Sequence, residues 1–335
     1  MGGAGRSHGS PGRAAYEPRK KEPDVVDKIL DPAQIEALDH SAIPRIRLPE
    51  RTALFAARAA RLRQLAGHHP IGGYIRLMAS VADAQHTLLA SLAAQPPAAG
   101  AIARAQRHAM PLVPAQAFDA RDPAWRDVLL TLLDRVEAAG AVTPALARVL
   151  DALRLKTPAQ LDAQADAVLA QRYSEVEPAG APFVMAALQI VWTGLASRLD
   201  PRAVPYPDTP GVCPVCGSLP VASIVRVGGQ QEGYRYLQCG LCATEWHMVR
   251  VKCSNCDSTK GIAYHGLEGG NEALKAESCD ECHTYRKIGY QQKDLEIEPL
   301  ADDLASLTLD LLMNEAGYRR SAPNPLLWPE VPSDT

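Results

Sequence analysis

The stretch CPVCGSLPVASIVRVGGQQEGYRYLQCGLC, residues 213–242, contains two Cys-x-x-Cys pairs with twenty-two residues between them. The arrangement recurs forty residues later with the same gap, so the chain has four such pairs. Ser218 and Thr244 recur at the same offset as Ser258 and Thr284. This repetition predicts an internal duplication of one small module, whose eight cysteines are Cys213, Cys216, Cys239, Cys242, Cys253, Cys256, Cys279 and Cys282.

The spacing of the cysteines is typical of metal sites. A Cys-x-x-Cys turn lets two thiolates converge on one ion while backbone amides of the turn point at the sulfurs, and a second turn completes a tetrahedron. Four sulfurs favour iron or zinc over magnesium or calcium, and the sequence leaves the choice between those two open. Equal spacing favours pairing the first turn with the second and the third with the fourth, although crossed pairings stay open.

The four Cys-x-x-Cys pairs have three other interpretations besides two metal sites that carry out chemistry. A thioredoxin-like redox pair needs one pair at a helix start in a βαβ unit, which four regularly spaced pairs do not resemble. A nucleic-acid-binding ribbon needs a basic surface, yet residues 211–293 contain nine Lys or Arg against eight Asp or Glu,. No nucleic-acid partner is therefore expected. Closed four-cysteine sites are more often structural than reactive, so sites that only hold the fold together are the main alternative.

The residue that follows each turn is expected to affect its regularity. Gly217 follows the first turn and can take a positive φ without steric cost. Ala243, Asp257 and His283 stand at the other three positions, so these turns are expected to be less regular. His247 and His283 follow cysteine pairs closely, but four cysteines already complete each tetrahedron. Both histidines are therefore expected beside the ligands or at the surface.

The part of the chain before the cysteines predicts a tail and a helical domain. Residues 1–40 lack a sustained apolar pattern and predict a disordered tail. Residues 41–200 predict an α-helical domain of six or seven helices, because apolar residues recur at helical spacing and three capping residues precede prolines, in Asp122-Pro123, Thr143-Pro144 and Thr157-Pro158,. The uncharged stretch 178–197 contains prolines, glycines and polar residues, which favour a buried helix and no stable membrane insertion.

The remaining segments complete an α+β fold class. Residues 201–211 are rich in proline and predict a linker. Residues 212–250 and 251–292 are expected to form two tandem rubredoxin-like, or zinc-ribbon-like, modules. Residues 293–335 predict a C-terminal helix and tail, in which Asp302 and Asp303 are expected to cap the helix through its dipole, with a contact to a partner as the alternative.

Outside the cysteines, the sequence contains no clear motif for catalysis or phosphate binding. The glycine-rich stretches VGGQQEG and LEGGNEALK lack the lysine and hydroxyl of a phosphate-binding loop,. No nucleophile and base stand at a recognisable spacing, so the chain is not expected to be an enzyme. The first residues have no apolar run typical of a secretory signal, and four Cys-x-x-Cys pairs suit a reducing compartment. A cytoplasmic location is therefore expected.

Several stretches make the chain similar to a known family, the formate dehydrogenase accessory proteins of the FdhE type. The resemblance is carried by CPVCGSLPVASIV, by GYRYLQCGLCATEWHMVRVKCSNC and by ADDLASLTLDLLMNEAGYRRSAPNPLL. In the helical part it is carried by IRLPE, LFAARAARLRQLA and HPIGGYIRLMA. It covers about Ile46 to Trp328, and the residues that match the family's signature stretch are Tyr236, Thr244, Glu245, Trp246, His247, Arg250 and Lys252.

The resemblance implies a function and a set of partners. Members of this family are cytoplasmic, bind iron through the four turns, and are needed for active respiratory formate dehydrogenase, whose catalytic subunit they bind. All eight cysteines match the family's metal-binding positions. An assembly factor is thus the leading interpretation, with iron as the metal and zinc as the alternative. A rubredoxin-like electron-transfer protein is the second interpretation, and a homodimer stays open.

Overall fold

The computed structural model describes residues 1–2, 43–95, 97–116, 121–140, 142–205, 211–228 and 232–328. The predicted tail lies outside these residues from residue 3 onward. The N-terminal part contains a short strand and seven α-helices within the described ranges, in agreement with the six or seven predicted. The helices are α1 (Leu54–Leu65), α2 (Gly72–Ser91), α3 (Ala99–Arg107), α4 (Ala124–Ala138), α5 (Pro144–Arg154), α6 (Pro158–Leu169) and α7 (Ala181–Ala196).

Local sequence explains where several helices begin. Thr143 and Thr157 cap α5 and α6, each with a proline in the first turn, and the hydroxyls accept hydrogen bonds from Leu146 and Gln160. Helix α7 lies at the centre of the helical packing, and thirteen of its sixteen residues are buried. The expectation of a buried helix there is confirmed. Among the described residues, no helix combines the length and the apolar character that a membrane span needs.

The cysteine region forms one mixed sheet. Its order is β1-β4-β3-β2-β7-β6-β5, with β8 beside β7. The pairs β2–β7 and β7–β8 are parallel, and the others are antiparallel. The strands are β1 (Ile46–Arg47), β2 (Pro220–Val225), β3 (Arg235–Cys239), β4 (Glu245–His247), β5 (Ile262–His265), β6 (Leu274–Cys279), β7 (Thr284–Tyr290) and β8 (Arg319–Arg320).

The duplication predicted from the cysteine spacing is visible in the sheet. Strands β2, β3 and β4 form one antiparallel meander, and β5, β6 and β7 form a second in the same order. The register Leu237↔Trp246 in the first meander corresponds, forty residues later, to Glu277↔Arg286 in the second. Because alternate strand residues share a face, Cys279 lies on the face of Glu277 and Arg286.

The first module is joined to the helical part through backbone and side chains. The segment that follows α3 donates two backbone hydrogen bonds to the first cysteine turn, from Val113 to Val215 at 2.8 Å and from Ala115 to Cys216 at 2.9 Å. All four cysteines of the first module belong to the same buried cluster as the helices. The first module and the helices therefore share one hydrophobic core.

The C-terminal region differs from its prediction in the number of helices. It contains two short helices, α8 (Pro299–Leu304) and α9 (Leu307–Glu315), where one was expected. The break has a physical cause, because the Lys287 ammonium donates to the carbonyls of Asp303 and Ser306, and the Ser306 hydroxyl donates to that of Asp303. These bonds compete with the backbone pattern that would continue the helix.

Asp302 and Asp303 were predicted to cap the last helix through its dipole. Asp302 does lie in the first turn of α8, where it accepts a hydrogen bond from the amide of Glu298 at 2.8 Å, but both aspartates also have partners that the sequence did not predict. Both are buried. Asp302 pairs with Arg61 of α1 at 2.6 Å, while Asp303 pairs with Lys287 at 3.1 Å. The side chain that caps α8 is that of Glu298, which accepts a hydrogen bond from the amide of Ala301. The ion pairs of the two aspartates also tie α8 to α1 and to the sheet.

Candidate metal centre

The eight thiols are brought together as two clusters of four. Cys213, Cys216, Cys239 and Cys242 form the first cluster, and Cys253, Cys256, Cys279 and Cys282 form the second. Within each cluster the sulfurs lie within 4.8 Å of one another. The first turn is thus paired with the second and the third with the fourth, as the equal spacing favoured.

The distances between sulfurs suit a tetrahedral ion. The separations are 3.6 Å for Cys213–Cys242 and 3.3 Å for Cys216–Cys239. The two corresponding sulfur–sulfur distances in the second cluster are both 3.7 Å. Metal–sulfur bonds of about 2.3 Å place the sulfurs of a tetrahedron about 3.8 Å apart, whereas a disulfide holds them about 2 Å apart. The geometry therefore fits a four-thiolate metal site.

The repeated serine and threonine have matching roles in the two modules. The carbonyls of Ser218 and Ser258 accept hydrogen bonds from the amides of Cys213 and Cys253, at 2.9 and 2.8 Å. The hydroxyls of Thr244 and Thr284 lie 3.2 and 3.1 Å from the sulfurs of Cys242 and Cys282. The first contact closes each turn through the backbone, and the second places a threonine hydroxyl against a sulfur, which explains why the threonine recurs.

Backbone amides also point at the sulfurs, as the spacing predicted. The amides of Leu241 and Cys242 lie 3.3 and 3.4 Å from the sulfur of Cys239. In the second cluster the amide of Asn255 lies 3.3 Å from the sulfur of Cys253. Such bonds stabilise thiolates and so favour cation binding.

The expectation that three of the turns are less regular was wrong. Gly217 has a φ of 78°. Ala243, Asp257 and His283 take the same left-handed conformation, with φ values of 58°, 61° and 51°. The turn geometry therefore requires this conformation, and it is imposed on side chains that rarely adopt it.

The two clusters differ in burial. All four cysteines of the first cluster are buried beneath the helices. In the second cluster Cys256 is exposed and Cys282 is half-buried. Only the second cluster thus presents sulfur ligands at the surface.

The thiol pKa values also indicate a place for a cation. In the second cluster, burial raises the pKa of Cys253 to about 12. At Cys282 burial acts in the same direction, but hydrogen bonds led by that of Thr284 outweigh it and lower the pKa to about 6. In the first cluster, burial raises the pKa of Cys213, whereas hydrogen bonds from neighbouring thiols outweigh burial and lower that of Cys216. A thiolate among close thiols is the environment that a metal ion completes.

The histidines near the cysteines do not join either cluster. His247 lies on β4, with its ring edge-on to Tyr234 and Tyr236. His283 follows Cys282, and its ring is tilted against that of Tyr318. No histidine or carboxylate shares a cluster with the cysteines among the described residues.

Nearly the whole described chain is similar to proteins of one known family. Three family models match in succession, those of the FdhE N-terminal domain at residues 43–208, the central domain at 212–250 and the C-terminal domain at 251–327. The chain belongs to the FdhE family. This membership supports a role as an accessory protein related to formate dehydrogenase.

Individual FdhE proteins are similar over most of their length. The FdhE homolog of Cronobacter sakazakii is 41% identical over 90% of this chain and 98% of its own length. FdhE of Escherichia coli K12 is 42% identical over 86% of this chain and 92% of its own length. The crystal structure of FdhE from Pseudomonas aeruginosa has a TM-score of 0.77 and 39% identity, covering 86% of this chain and all of that one.

The residues that match the FdhE signature stretch mostly build the first module. Trp246 is buried completely, and the Tyr236 hydroxyl donates to the carbonyl of Pro44 at 3.0 Å. Glu245 forms ion pairs with Arg47 and Arg226. These contacts attach the start of the helical part to β3 and β4.

Sequence reasoning missed a buried charge cluster beside the second cysteine cluster. It consists of Arg235 on β3, Glu277 on β6 and Arg286 on β7, all of which are buried. Burial, followed by the positive charge of the neighbouring Arg235, lowers the pKa of Arg286 to about 9. The positions forty residues before Glu277 and Arg286 are Leu237 and Trp246, so a comparison of the two halves would have revealed the change.

Proposed function

We propose that this protein is a maturation factor that binds the catalytic subunit of respiratory formate dehydrogenase in the cytoplasm through its metal-containing C-terminal region. One observation carries the proposal: a chain that matches FdhE domains from residue 43 to residue 327 keeps two complete four-cysteine clusters. In this proposal the protein acts by holding its client and not as an enzyme.

Each cluster binds one metal ion in this proposal. The eight ligands are Cys213, Cys216, Cys239, Cys242, Cys253, Cys256, Cys279 and Cys282. Iron is the proposed metal and zinc the alternative, since four thiolates suit both ions. The ion supplies a closed link between the two turns of a module, and the surrounding amides and threonine hydroxyls stabilise the thiolate charge.

A gene deletion tests the proposed role. Respiratory formate oxidation is expected to be lost in the deletion strain and restored by a plasmid carrying the wild-type gene. A plasmid carrying the Cys256→Ser variant should restore less activity, whereas the exposed Ser91→Ala variant serves as a matched control and should restore it fully. Formate oxidation that is unchanged in the deletion strain contradicts the proposal.

A second candidate function is electron transfer to a partner enzyme. It is favoured by the exposure of Cys256, because a surface sulfur ligand gives electrons a short path to a partner. Anaerobic purification followed by absorption spectroscopy distinguishes the two functions. Iron that cycles between ferrous and ferric forms supports electron transfer, and a colourless, zinc-loaded protein contradicts it.

A further inference from the structure

The two modules differ at one pair of cross-strand neighbours. In the first module the pair is Leu237 and Trp246, and neither side chain carries a charge. In the second module the equivalent pair is Glu277 and Arg286. Both pairs are buried, and each shares a sheet face with a cysteine of its own cluster,. The duplication has therefore kept the thiols and changed the electrostatics beside one set of them.

A second arginine enters the same region from the first module. Arg235 donates to the carboxylate of Glu277 at 2.7 Å and to the carbonyl of Lys252, directly before Cys253, at 3.0 Å. Arg286 donates to the hydroxyl of Ser254, which directly follows Cys253. Both guanidinium groups thus contact the turn that supplies two of the second cluster's ligands.

The charges in this region do not balance without the cluster. Arg235 has Glu277 as its ion-pair partner. In the part of the chain that the structure describes, no carboxylate lies within 4.0 Å of Arg286, and its Nε has no hydrogen-bond partner. Two arginines face one glutamate, which leaves one positive charge. An unpaired buried charge is costly, so a negative group is expected nearby.

The second cluster is placed to be that negative group. Cys253, Cys279, Glu277 and Arg286 line one small cavity of about 10 Å³. A cavity of this size holds at most about one water molecule, so little solvent separates the arginine from the sulfurs. Four thiolates on a divalent ion carry a charge of about −2, and the excess charge of Arg286 has the opposite sign.

We propose that Arg286 is the charge partner of the second metal site and makes that site electrostatically different from the first. The inference rests on the proposed metal binding. A positive charge favours the more negative state of a metal–thiolate site, so with iron bound it favours the ferrous form, which carries one negative charge more than the ferric form. The second site is thus expected to have the higher reduction potential of the two.

The test uses the full chain loaded anaerobically with ferrous iron and titrated electrochemically. Wild-type protein with two irons bound should show two one-electron waves, and the second-site wave is identified as the one that Cys256→Ser alters. Arg286→Gln should lower this wave by at least about 59 mV, a tenfold change in the ratio of ferrous to ferric iron, and leave the other in place. Arg286→Lys, which keeps the charge, should stay near wild type, as should the exposed control Arg250→Gln.

A variant of opposite sign separates charge from folding effects. Glu277→Gln removes the negative partner and should raise the same wave, whereas a purely structural role predicts no such reversal. If Arg286→Gln does not fold, Glu277→Gln and Arg286→Lys decide the matter. If two irons are bound but neither wave shifts in these variants, or both waves shift together, this inference alone is overturned. Failure to bind iron at either site overturns this inference together with the choice of iron over zinc in the proposed function.

Discussion

Each Cys-x-x-Cys turn is followed by a residue in the left-handed conformation, which Gly217 adopts without steric cost,. At the equivalent position Ala243 has a φ of 58°, which costs an L-residue about 1–2 kcal/mol,. The turn keeps this conformation because both neighbouring cysteines must reach the same site. Backbone strain at these positions is therefore a consequence of the cluster geometry.

Exchanging glycine and alanine at these positions should have opposite effects. Ala243→Gly should raise the free energy of unfolding by about 0.5–1 kcal/mol, because it relieves the left-handed strain. Gly217→Ala should lower it by about 1–2 kcal/mol, since the new Cβ is strained and would lie 3.2 Å from Cγ of Pro111,. Denaturant unfolding of the metal-loaded proteins measures both. Equal effects of the same sign would contradict this explanation.

Sequence reasoning located the cysteines correctly but misjudged charged residues. The pairing of turns follows from local spacing, which is visible in the sequence. The burial of Asp303 on α8 depends on Lys287 of β7 and Arg320 of β8, which are distant from it in sequence. Long-range ion pairs of this kind cannot be recognised from one helix pattern.

Asp303 should contribute to the acid sensitivity of the fold. Burial acts to raise its pKa, but the ion pairs with Arg320 and Lys287 outweigh burial and lower it below its usual value. Its stabilisation is therefore present above the unfolded pKa of about 3.9 and is lost as pH falls toward the folded pKa. Asp303→Asn should lower the unfolding free energy at pH 7 by about 3–5 kcal/mol and weaken the loss of stability as pH falls below the unfolded pKa. An unchanged pH dependence in thermal unfolding argues against this role.

At the scale of elements, helix α7 is connected to the second cysteine turn by a buried glutamine. Gln189 donates to the carbonyl of Gly240 at 2.6 Å, between Cys239 and Cys242, and accepts a hydrogen bond from Gln85 of α2 at 2.9 Å. A helix, its neighbour and a metal-binding turn thus share one polar chain inside the core. The apolar stretch around Gln189 predicted the helix, but the partner of the glutamine could not be read from the sequence.

Removing this glutamine should loosen the turn. Gln189→Leu leaves the buried carbonyl of Gly240 without its donor, which should cost about 1–3 kcal/mol of unfolding free energy. The matched control is Gln106→Leu, whose exposed amide donates to the carbonyl of Ala203 and whose loss should change stability by less than about 0.5 kcal/mol,. Denaturant unfolding compares the two, and equal losses would mean that the buried bond has no special role.

At the scale of the whole molecule, the duplicated sheet supports two sites of different character. The sequence predicted two equivalent modules, because the spacing of the cysteines is identical. The structure covers the first with helices and brings the second to the surface. This difference depends on where the 113–115 segment and α7 pack, which a local repeat does not encode. The division into domains at residues 200, 211 and 250 stays a prediction.

Losing the metal from the first site should therefore destabilise a different part of the fold from losing it at the second site. Cys213→Ser is expected to weaken amide protection in α7 as well as in β2–β4, because the first cluster and the helices share a core,. Cys279→Ser should affect mainly β5–β7. Hydrogen exchange of the two variants measures this. Equal protection of α7 in both variants would show that the first module is independent of the helices.

The most direct test of the account is a pull-down of the tagged protein from cells that make respiratory formate dehydrogenase, with metal analysis of the same sample. We expect the catalytic subunit of formate dehydrogenase to be recovered together with two metal ions per chain. The Cys256→Ser variant should recover less of both. Wild-type protein that carries two metal ions but recovers no catalytic subunit would contradict the proposed function.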